Sequence, residues 1–233
     1  MITHTSVLLR AATATGSSPT GMDARWVSPP WWMRKTSSRL SGVLAAKRSW
    51  PSGDRAGKRL LPTAPAVGFL PVVGPGARVL ILGSMPGEAS LRAGEYYAYP
   101  RNAFWPIMAA LLGFDPAMPY VERTRALVAG GIALWDALQS CVRPGSLDSA
   151  IDQSTMIAND FAGLFARCPH IDHVYFNGAA AERCFRLGVL PALAGFDLPC
   201  TRLPSTSPAH AGRSFEQKLA AWRAVMQHRQ MPQ

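Results

Sequence analysis

The segment Arg78–Trp105 constrains the fold of this 233-residue chain more than any other part of it. It begins with a short apolar run, Val79–Leu82, which has the length of a buried strand and is too short for a buried helix. The run ends at residues 83–87 (GSMPG), where two glycines and a proline force a tight turn and leave backbone N–H groups free to face a ligand. Three tyrosines, Asn102 and the pair Phe104-Trp105 follow. This order predicts a pocket for a flat, polar ring.

A second loop with related properties lies far downstream, at residues 203–210 (LPSTSPAH). It precedes a helix predicted to begin near Ser214, which forms a capping box with Gln217. Small hydroxyl residues between two prolines are typical of a rigid, extended loop whose hydroxyl and N–H groups suit phosphate oxygens. Strand–glycine turns and aromatic clusters are structural in most proteins. Two such loops in one chain favour a ligand site.

The chain from residue 78 onward alternates predicted strands and helices. We expect strands near 78–83, 131–135, 172–177 and 199–203, and helices near 103–112, 120–129, 159–167, 178–188 and 214–228. This alternation predicts the α/β class, as a three-layer α/β/α sandwich with a central, mainly parallel four-stranded sheet. Ligands bind beyond the carboxyl ends of such strands. The loops after the first, third and fourth strands should therefore converge on one edge.

The two loops resemble motifs 1 and 2 of the uracil-DNA glycosylase superfamily, and the similarity is greatest to its hypoxanthine-DNA (deoxyinosine) glycosylase branch. It runs over about residues 69–226 and includes GIALWDAL (131–138), RPGSLDSAI (143–151) and VYFNG (174–178). The resemblance implies a uracil-DNA glycosylase-like fold and a role in base-excision repair. Ser84 and Ser205 depart from the residues that many members carry there. In the suspected branch the catalytic amide belongs to a Pro-x-Asn-x-Phe-Trp segment, which here contains Asn102.

The chemistry implied by the resemblance is hydrolysis of an N-glycosidic bond after the nucleotide rotates out of the base stack. Positive charge develops on the sugar and negative charge on the departing base, so preorganised donors aimed at the base lower the barrier. We expect Asn102 to orient a water by accepting a hydrogen bond, with Ser84 as a second catalytic residue. The ring face is expected from Tyr97 or Phe104. The predicted base-binding residues are Met85, Pro86, Gly87, Tyr97, Phe104 and Asn177.

The remaining predicted contacts are with DNA, and those residues are Arg101, Ser205, Thr206, Ser207 and His210. Arg143 is a further candidate for a phosphate contact, while Asp136 is interpreted as a helix cap and Asp148 as a turn cap or part of the DNA-binding face. Ala209 is too small to fill the gap left by a flipped base. Neither loop contains an amine nucleophile, which predicts a monofunctional enzyme without strand cleavage.

Two alternatives remain for the function. Hypoxanthine and uracil share an imide-like N–H next to a carbonyl, so a uracil or mismatch-specific DNA glycosylase is the first alternative. The second belongs to another class, a non-catalytic DNA-lesion-binding module, because Ser84 replaces the usual motif 1 carboxylate or amide.

Residues 1–62 are predicted to form a basic, disordered N-terminal segment, and residues 63–230 a glycosylase-like catalytic domain. Ten Lys/Arg and two acidic residues fall within positions 1–60, so this part carries +8 of the formal net charge of +10. A basic arm raises non-specific DNA affinity in a salt-dependent way but recognises no base. A targeting presequence and sequence upstream of the true start are alternatives for this segment, and Trp31–Lys35 is a candidate DNA- or partner-binding patch.

The sequence also argues against several classes of protein. No apolar run approaches the roughly 20 residues of a membrane span. The four cysteines lack Cys-x-x-Cys and paired-histidine spacings, so we predict no metal, no iron–sulfur cluster and no other cofactor. The expected partner is DNA containing a deaminated base. We expect a monomer that works in the cytoplasm, associated with the nucleoid in a bacterium.

Overall fold

The computed structural model describes residues 64–229. The basic segment predicted for residues 1–62, its alternatives and the boundary after it lie outside the described residues. The described strands are β1 (Ala66–Val67), β2 (Val79–Gly83), β3 (Ile132–Asp136), β4 (Leu138–Cys141), β5 (Ile157–Ala158), β6 (His173–Asn177) and β7 (Cys200–Leu203). The α-helices in the same range are α1 (Glu88–Ala93), α2 (Phe104–Leu112), α3 (Tyr120–Ala129), α4 (Phe161–Arg167), α5 (Ala179–Cys184) and α6 (Phe215–Trp222).

A four-stranded parallel sheet in the order β3-β2-β6-β7 forms the centre of the fold. All five residues of β2 and of β3 are buried, because helices cover both faces of a parallel sheet and its central strands become apolar throughout. The predicted α/β sandwich is therefore confirmed, and each of the four predicted strands lies within one residue of its observed position.

The helices also agree with the prediction, with differences at their ends. Helix α4 begins at Phe161 rather than 159, because the side chain of Asp160 accepts a hydrogen bond from the Gly163 N–H and caps the helix there. Ser214 and Gln217 form the predicted capping box of α6. Helix α5 ends at Cys184, and the chain continues directly into a π-helical segment, Phe185–Val189.

The sequence did not predict two features of the fold. One is the short helix α1, which comes after the glycine loop and ends at Gly94, whose φ of 68° is left-handed. The other is a small antiparallel sheet in the order β1-β4-β5. Strands β1 and β5 have two residues each. This is too short to show the alternation of apolar and polar residues by which a strand is recognised in a sequence.

Candidate active site

A cavity of about 300 Å³ opens at the carboxyl edge of the central sheet. Its wall is built from the loops after β2, β6 and β7, which lie together as the sequence predicted, and from two further segments. The lining residues include Gly83–Gly87, Tyr96, Tyr97, Tyr99, Asn102, Asp136, Ser146–Asp148, Asn177 and Ser205–Ala209.

Asn102 lines this cavity just before the start of α2. Its Oδ1 accepts a hydrogen bond of 3.0 Å from the Phe104 N–H, and its own backbone N–H donates to the Tyr99 carbonyl at 2.8 Å. These contacts fix the residue at the N-terminal end of α2. A carbonyl oxygen has two lone pairs, so Oδ1 retains the capacity to accept a second hydrogen bond from a water. Oδ1 of Asn102 therefore makes one structural hydrogen bond and can still accept another from a ligand or a water.

Tyr97 supplies an aromatic surface to the cavity, and Phe104 supports it from behind. The two rings are stacked, with centroids 4.1 Å apart and planes inclined by 26°. Phe104 is fully buried and has no surface on the cavity, so of the two rings offered by the sequence only that of Tyr97 is available to a ligand. Tyr97 has a φ of 55°, a left-handed conformation that is costly for a bulky residue and is often found at functional sites.

Asp136 is a buried carboxyl group in the cavity wall, 3% exposed. Its Oδ2 has no hydrogen-bond partner in the described part of the chain, and burial, reinforced by the charge of Asp148, raises its pKa from 3.8 to about 8. The interpretation of Asp136 as a helix cap is wrong, because β3 ends at this residue and leads into β4 rather than into a helix. Its place at the end of a buried apolar run was the available signal, and the structure places it level with Gly83 on β2.

Gly83 allows the carboxyl group of Asp136 to approach the backbone of β2. A Cβ atom at residue 83 would overlap Oδ1 of Asp136 and would lie 3.1 Å from the hydroxyl of Tyr97. The same hydroxyl is buried, and burial together with the charge of Asp136 raises the pKa of Tyr97. Close approach, rather than an unusual φ, therefore requires glycine here.

Ser84 and Asp148 are joined by a hydrogen bond, in which the Ser84 hydroxyl donates to Oδ1 of Asp148 over 2.6 Å. Ser84 is 7% exposed and lines the cavity. The hydroxyl proton is therefore engaged with a carboxylate, and Ser84 connects the loop after β2 to the segment after β4.

Arg143 does not reach the surface, so the interpretation of this residue as a phosphate contact is wrong. Its side chain is 1% exposed and donates hydrogen bonds to the backbone carbonyls of Met85, Pro86 and Gly145. Its Nη1 lies 3.7 Å from Oδ1 of Asp148. The guanidinium therefore holds the glycine loop in shape.

The same loop keeps the donors that its sequence predicted. The backbone N–H groups of Met85 and Gly87 donate to no acceptor within residues 64–229. Met85, Pro86 and Gly87 all line the cavity. Because Arg143 occupies carbonyls of this loop, the polar character that it presents to a ligand is that of a donor.

Asn177 and Thr206 form a reciprocal pair. Nδ2 of Asn177 donates to Oγ1 of Thr206, and Oδ1 of Asn177 accepts from the Thr206 N–H, both over 2.8 Å. Thr206 is 1% exposed, and its carbonyl accepts from the Ala103 N–H at 3.0 Å. These contacts engage the polar groups predicted to bind a base or a phosphate, so both residues primarily position the loop after β7 beside Asn102.

Ser205 and Ser207 line the cavity and stabilise their own loop. The hydroxyl of Ser205 accepts from the Ser207 N–H, and that of Ser207 accepts from the Ala209 N–H, each at 3.2 Å. Lys218 lies beneath this loop, its Nζ 3.4 Å from the Ser207 carbonyl, and burial lowers its pKa.

Arg101 and His210 are exposed and lie outside the cavity lining. The guanidinium of Arg101 donates to the Tyr99 hydroxyl, at 2.8 Å from Nη2 and 3.1 Å from Nε. Both residues remain candidates for DNA contacts outside the cavity. Within residues 64–229, no group of three or more His, Cys, Asp and Glu side chains is arranged to hold a metal ion.

The fold and the cavity together define an α/β protein with a small ligand site at the carboxyl edge of a parallel sheet, where such proteins bind their ligands. Residues 70–227 match the family described as the Uracil DNA glycosylase superfamily. The chain belongs to this superfamily, as its motifs indicated, and membership implies DNA as the substrate.

Curated relatives and a solved structure agree with this assignment. The chain is 33% identical over 162 residues to a protein from Methanosarcina acetivorans named "Hypoxanthine DNA glycosylase", covering 69% of this chain and 98% of the relative. It is 37% identical over 156 residues to a protein of the same name from Methanosarcina barkeri, covering 66% and 94%. A solution NMR structure from Methanosarcina acetivorans, described as a candidate uracil DNA glycosylase, matches with a TM-score of 0.60 at 33% identity, over 70% of this chain and 98% of that one.

The part of the chain that the structure describes contains no helix of the length and apolarity needed to cross a membrane.

Proposed function

We propose that this protein is a monofunctional DNA glycosylase that releases hypoxanthine from deoxyinosine in base-excision repair. The names of the two curated relatives support this substrate. The observation that carries the proposal is the position of Asn102 in the same cavity as the ring of Tyr97 and the buried carboxyl of Asp136. The cavity is at the small end of the range of ligand pockets and suits a single base rather than a whole nucleotide.

The first step is rotation of the nucleotide out of the duplex, which costs a few kcal/mol and brings the base into the cavity. The ring of Tyr97, fixed by stacking on Phe104, offers a surface for the flat base. The N–H groups of Met85 and Gly87 offer donors to its carbonyl and ring-nitrogen acceptors. These contacts position the base without a charged side chain of the protein.

Asp136 contributes a further donor when it is protonated. With a pKa of about 8 the neutral carboxyl predominates at pH 7, and its O–H can donate to an acceptor atom of hypoxanthine. As the C1′–N9 bond breaks, its electron pair goes to the base, and a neutral donor stabilises that negative charge. An ionised carboxylate in the same place would oppose it.

Asn102 acts on the water that completes the reaction. Its Oδ1 accepts a hydrogen bond from the water and orients it toward C1′. The water oxygen forms a bond to C1′, and the proton that it loses neutralises the departing base. An amide is not a strong base, but the cationic character of the sugar makes a weak nucleophile sufficient. No protein amine attacks C1′, so the DNA strand remains intact.

The test is a cleavage assay with end-labelled duplexes that carry one hypoxanthine, uracil or xanthine, followed by alkali to break abasic sites. We expect a product at hypoxanthine that appears only after alkali. Cleavage at uracil alone would retain the mechanism and change the substrate, an alternative that the description of the related NMR structure favours. Retained lesion binding without cleavage at any of the three would support the non-catalytic module.

Two variants of Asn102 separate its catalytic and structural contacts. Asn102→Ala removes the oxygen that accepts from both the Phe104 N–H and the water, and loss of such a hydrogen bond costs about 1 kcal/mol of stability. Asn102→Asp keeps an acceptor at Oδ1 and so serves as the matched control. We expect cleavage to collapse in Asn102→Ala while DNA binding persists, and Asn102→Asp to retain measurable cleavage. Equal cleavage by Asn102→Ala and the wild type would remove Asn102 from the mechanism.

Monomeric action in the cytoplasm, together with the nucleoid in a bacterium, is part of the same proposal. It is supported by the DNA substrate that membership of the superfamily implies.

A further inference from the structure

The segment Arg143–Asp148, here called the rim segment, carries an exposed leucine at the mouth of the cavity. Leu147 lines the cavity and is nevertheless 61% exposed. Single exposed leucines are normal on protein surfaces. This one differs in its location, because it belongs to the lining of the cavity itself.

The backbone on both sides of Leu147 is held in place by the site itself. Asp148 accepts the 2.6 Å hydrogen bond from Ser84. Ser146 Oγ accepts from the Glu88 N–H at 2.9 Å, and the Leu147 carbonyl accepts from the Ala150 N–H at 3.0 Å. Leu147 is therefore an apolar side chain displayed on a fixed support rather than on the tip of a free loop.

The loop after β7, which also lines the cavity, offers no apolar side chain of this size. The loop after β7 contributes Pro208 and Ala209 to the cavity mouth, and Ala209 has only a methyl group. A nucleotide that leaves the stack creates a gap between its neighbours, and proteins that distort DNA fill such gaps with leucine, phenylalanine, isoleucine, methionine or proline. Of the large apolar side chains that line this cavity, Leu147 is the most exposed, at 61% against 39% for Tyr99.

We propose that Leu147 is the wedge that enters the base stack as the target nucleotide moves into the cavity. The inference rests on the proposed function in that the substrate is duplex DNA. The wedge acts on stacking and not on the glycosidic bond. Leu147 should therefore affect cleavage of a paired substrate. It should have little effect on a single strand, whose bases are already unstacked for part of the time.

The experiment compares single-turnover cleavage of a hypoxanthine duplex with cleavage of the same strand alone. Leu147→Ala is expected to slow cleavage of the duplex at least about tenfold and to change cleavage of the single strand by less than about twofold. Leu147→Met, which keeps a long apolar side chain, should retain most of the duplex rate. Leu70→Ala is the matched control, because Leu70 is 62% exposed and lies outside the cavity lining. An equal loss on both substrates, or no loss on the duplex, would overturn the proposal.

A second measurement separates this proposal from the proposed function. A 2-aminopurine placed next to hypoxanthine fluoresces more strongly when it is unstacked, and this signal requires no cleavage. In an Asn102→Ala background, binding should raise the fluorescence, the added Leu147→Ala change should abolish the rise, and the added Leu70→Ala change should leave it intact. If the wild type cleaves no lesion, the proposed function fails, and this fluorescence comparison alone decides whether Leu147 unstacks DNA. The same rise with and without Leu147 would contradict the wedge.

Discussion

Ser84 donates a hydrogen bond of 2.6 Å to Asp148, and this contact ties the loop after β2 to the rim segment. Where many superfamily members carry a motif 1 carboxylate or amide, this chain has a hydroxyl engaged with a carboxylate that lies 64 residues further along. Ser84 is therefore in a position to act through Asp148 on the shape of the cavity mouth.

Ser84→Ala should loosen the rim segment and lower stability by about 1.5–3 kcal/mol, the usual range for a hydrogen bond to a charged group. Cleavage of a duplex should fall more than cleavage of a single strand, because the rim segment carries Leu147. Ser84→Thr keeps the hydroxyl and is the control. Thermal melts and the two cleavage rates test this expectation, and equal loss on both substrates would assign Ser84 to the chemistry instead.

Ionisation of Asp136 should make activity fall as the pH rises through about 8. The neutral carboxyl donates to the base, whereas the carboxylate repels the negative charge that develops there. Asp136→Asn presents a neutral donor at every pH, so its activity should show no such fall. A rate that instead rises through this range in the wild type would mean that the carboxylate is the active form. The measurement is the single-turnover rate from about pH 6 to about pH 10, a range that brackets the raised pKa.

The same group should make stability depend on pH with a defined sign. The folded pKa of about 8 lies above the ordinary value of 3.8, so the folded state holds a proton that the unfolded state releases. The contribution is fully present below about pH 4, declines from there to about pH 8, and is absent above that. Asp136→Asn should therefore gain in melting temperature relative to the wild type as the pH rises through this interval. A constant difference over that interval would contradict the raised pKa.

Gly83→Ala should destabilise the protein, because the added methyl group would overlap Oδ1 of Asp136 and approach the Tyr97 hydroxyl. Overpacking of this kind costs about 1–3 kcal/mol. Combining Gly83→Ala with Asp136→Ala removes the overlapping carboxyl and should recover part of the lost melting temperature. Fully additive losses in the double variant would show that the two positions do not compete for the same space.

Arg101 and Arg143 should respond in opposite ways to replacement by methionine. Arg143 is buried against backbone carbonyls, so Arg143→Met should lower the melting temperature and leave the salt dependence of DNA binding nearly unchanged. Arg101 is exposed, so Arg101→Met should leave the melting temperature unchanged and reduce the salt slope by about one. Binding titrations at several salt concentrations, with melts of each variant, provide the comparison. A smaller salt dependence of DNA binding in Arg143→Met would indicate that Arg143 contacts a DNA phosphate after all.

The sequence predicted those parts of the fold whose signal is local. Continuous apolar runs such as Val79–Leu82 identify buried strands, and their order sets which loops share an edge. The role of Arg143 has no local signal, since the carbonyls that it binds belong to residues 57 and 58 positions earlier. Asp136 would cap a helix if a helix came next in the chain, and it is a buried carboxyl because strand β4 comes next instead. The residues around Asp136 do not distinguish these two cases. The pairing of Asn177 with Thr206 likewise becomes visible only once β6 and β7 are neighbours.

The pairing of Asn177 with Thr206 also determines which molecule has to move during the reaction. It prolongs the contact between β6 and β7 beyond Leu203, and the Thr206 carbonyl fastens the same loop to Ala103. This side of the cavity cannot open without breaking these hydrogen bonds. The cavity is therefore preformed on this side, and the large conformational change during recognition takes place in the DNA. Differences in the rate of excision between sequence contexts should then depend on how easily each duplex releases its base.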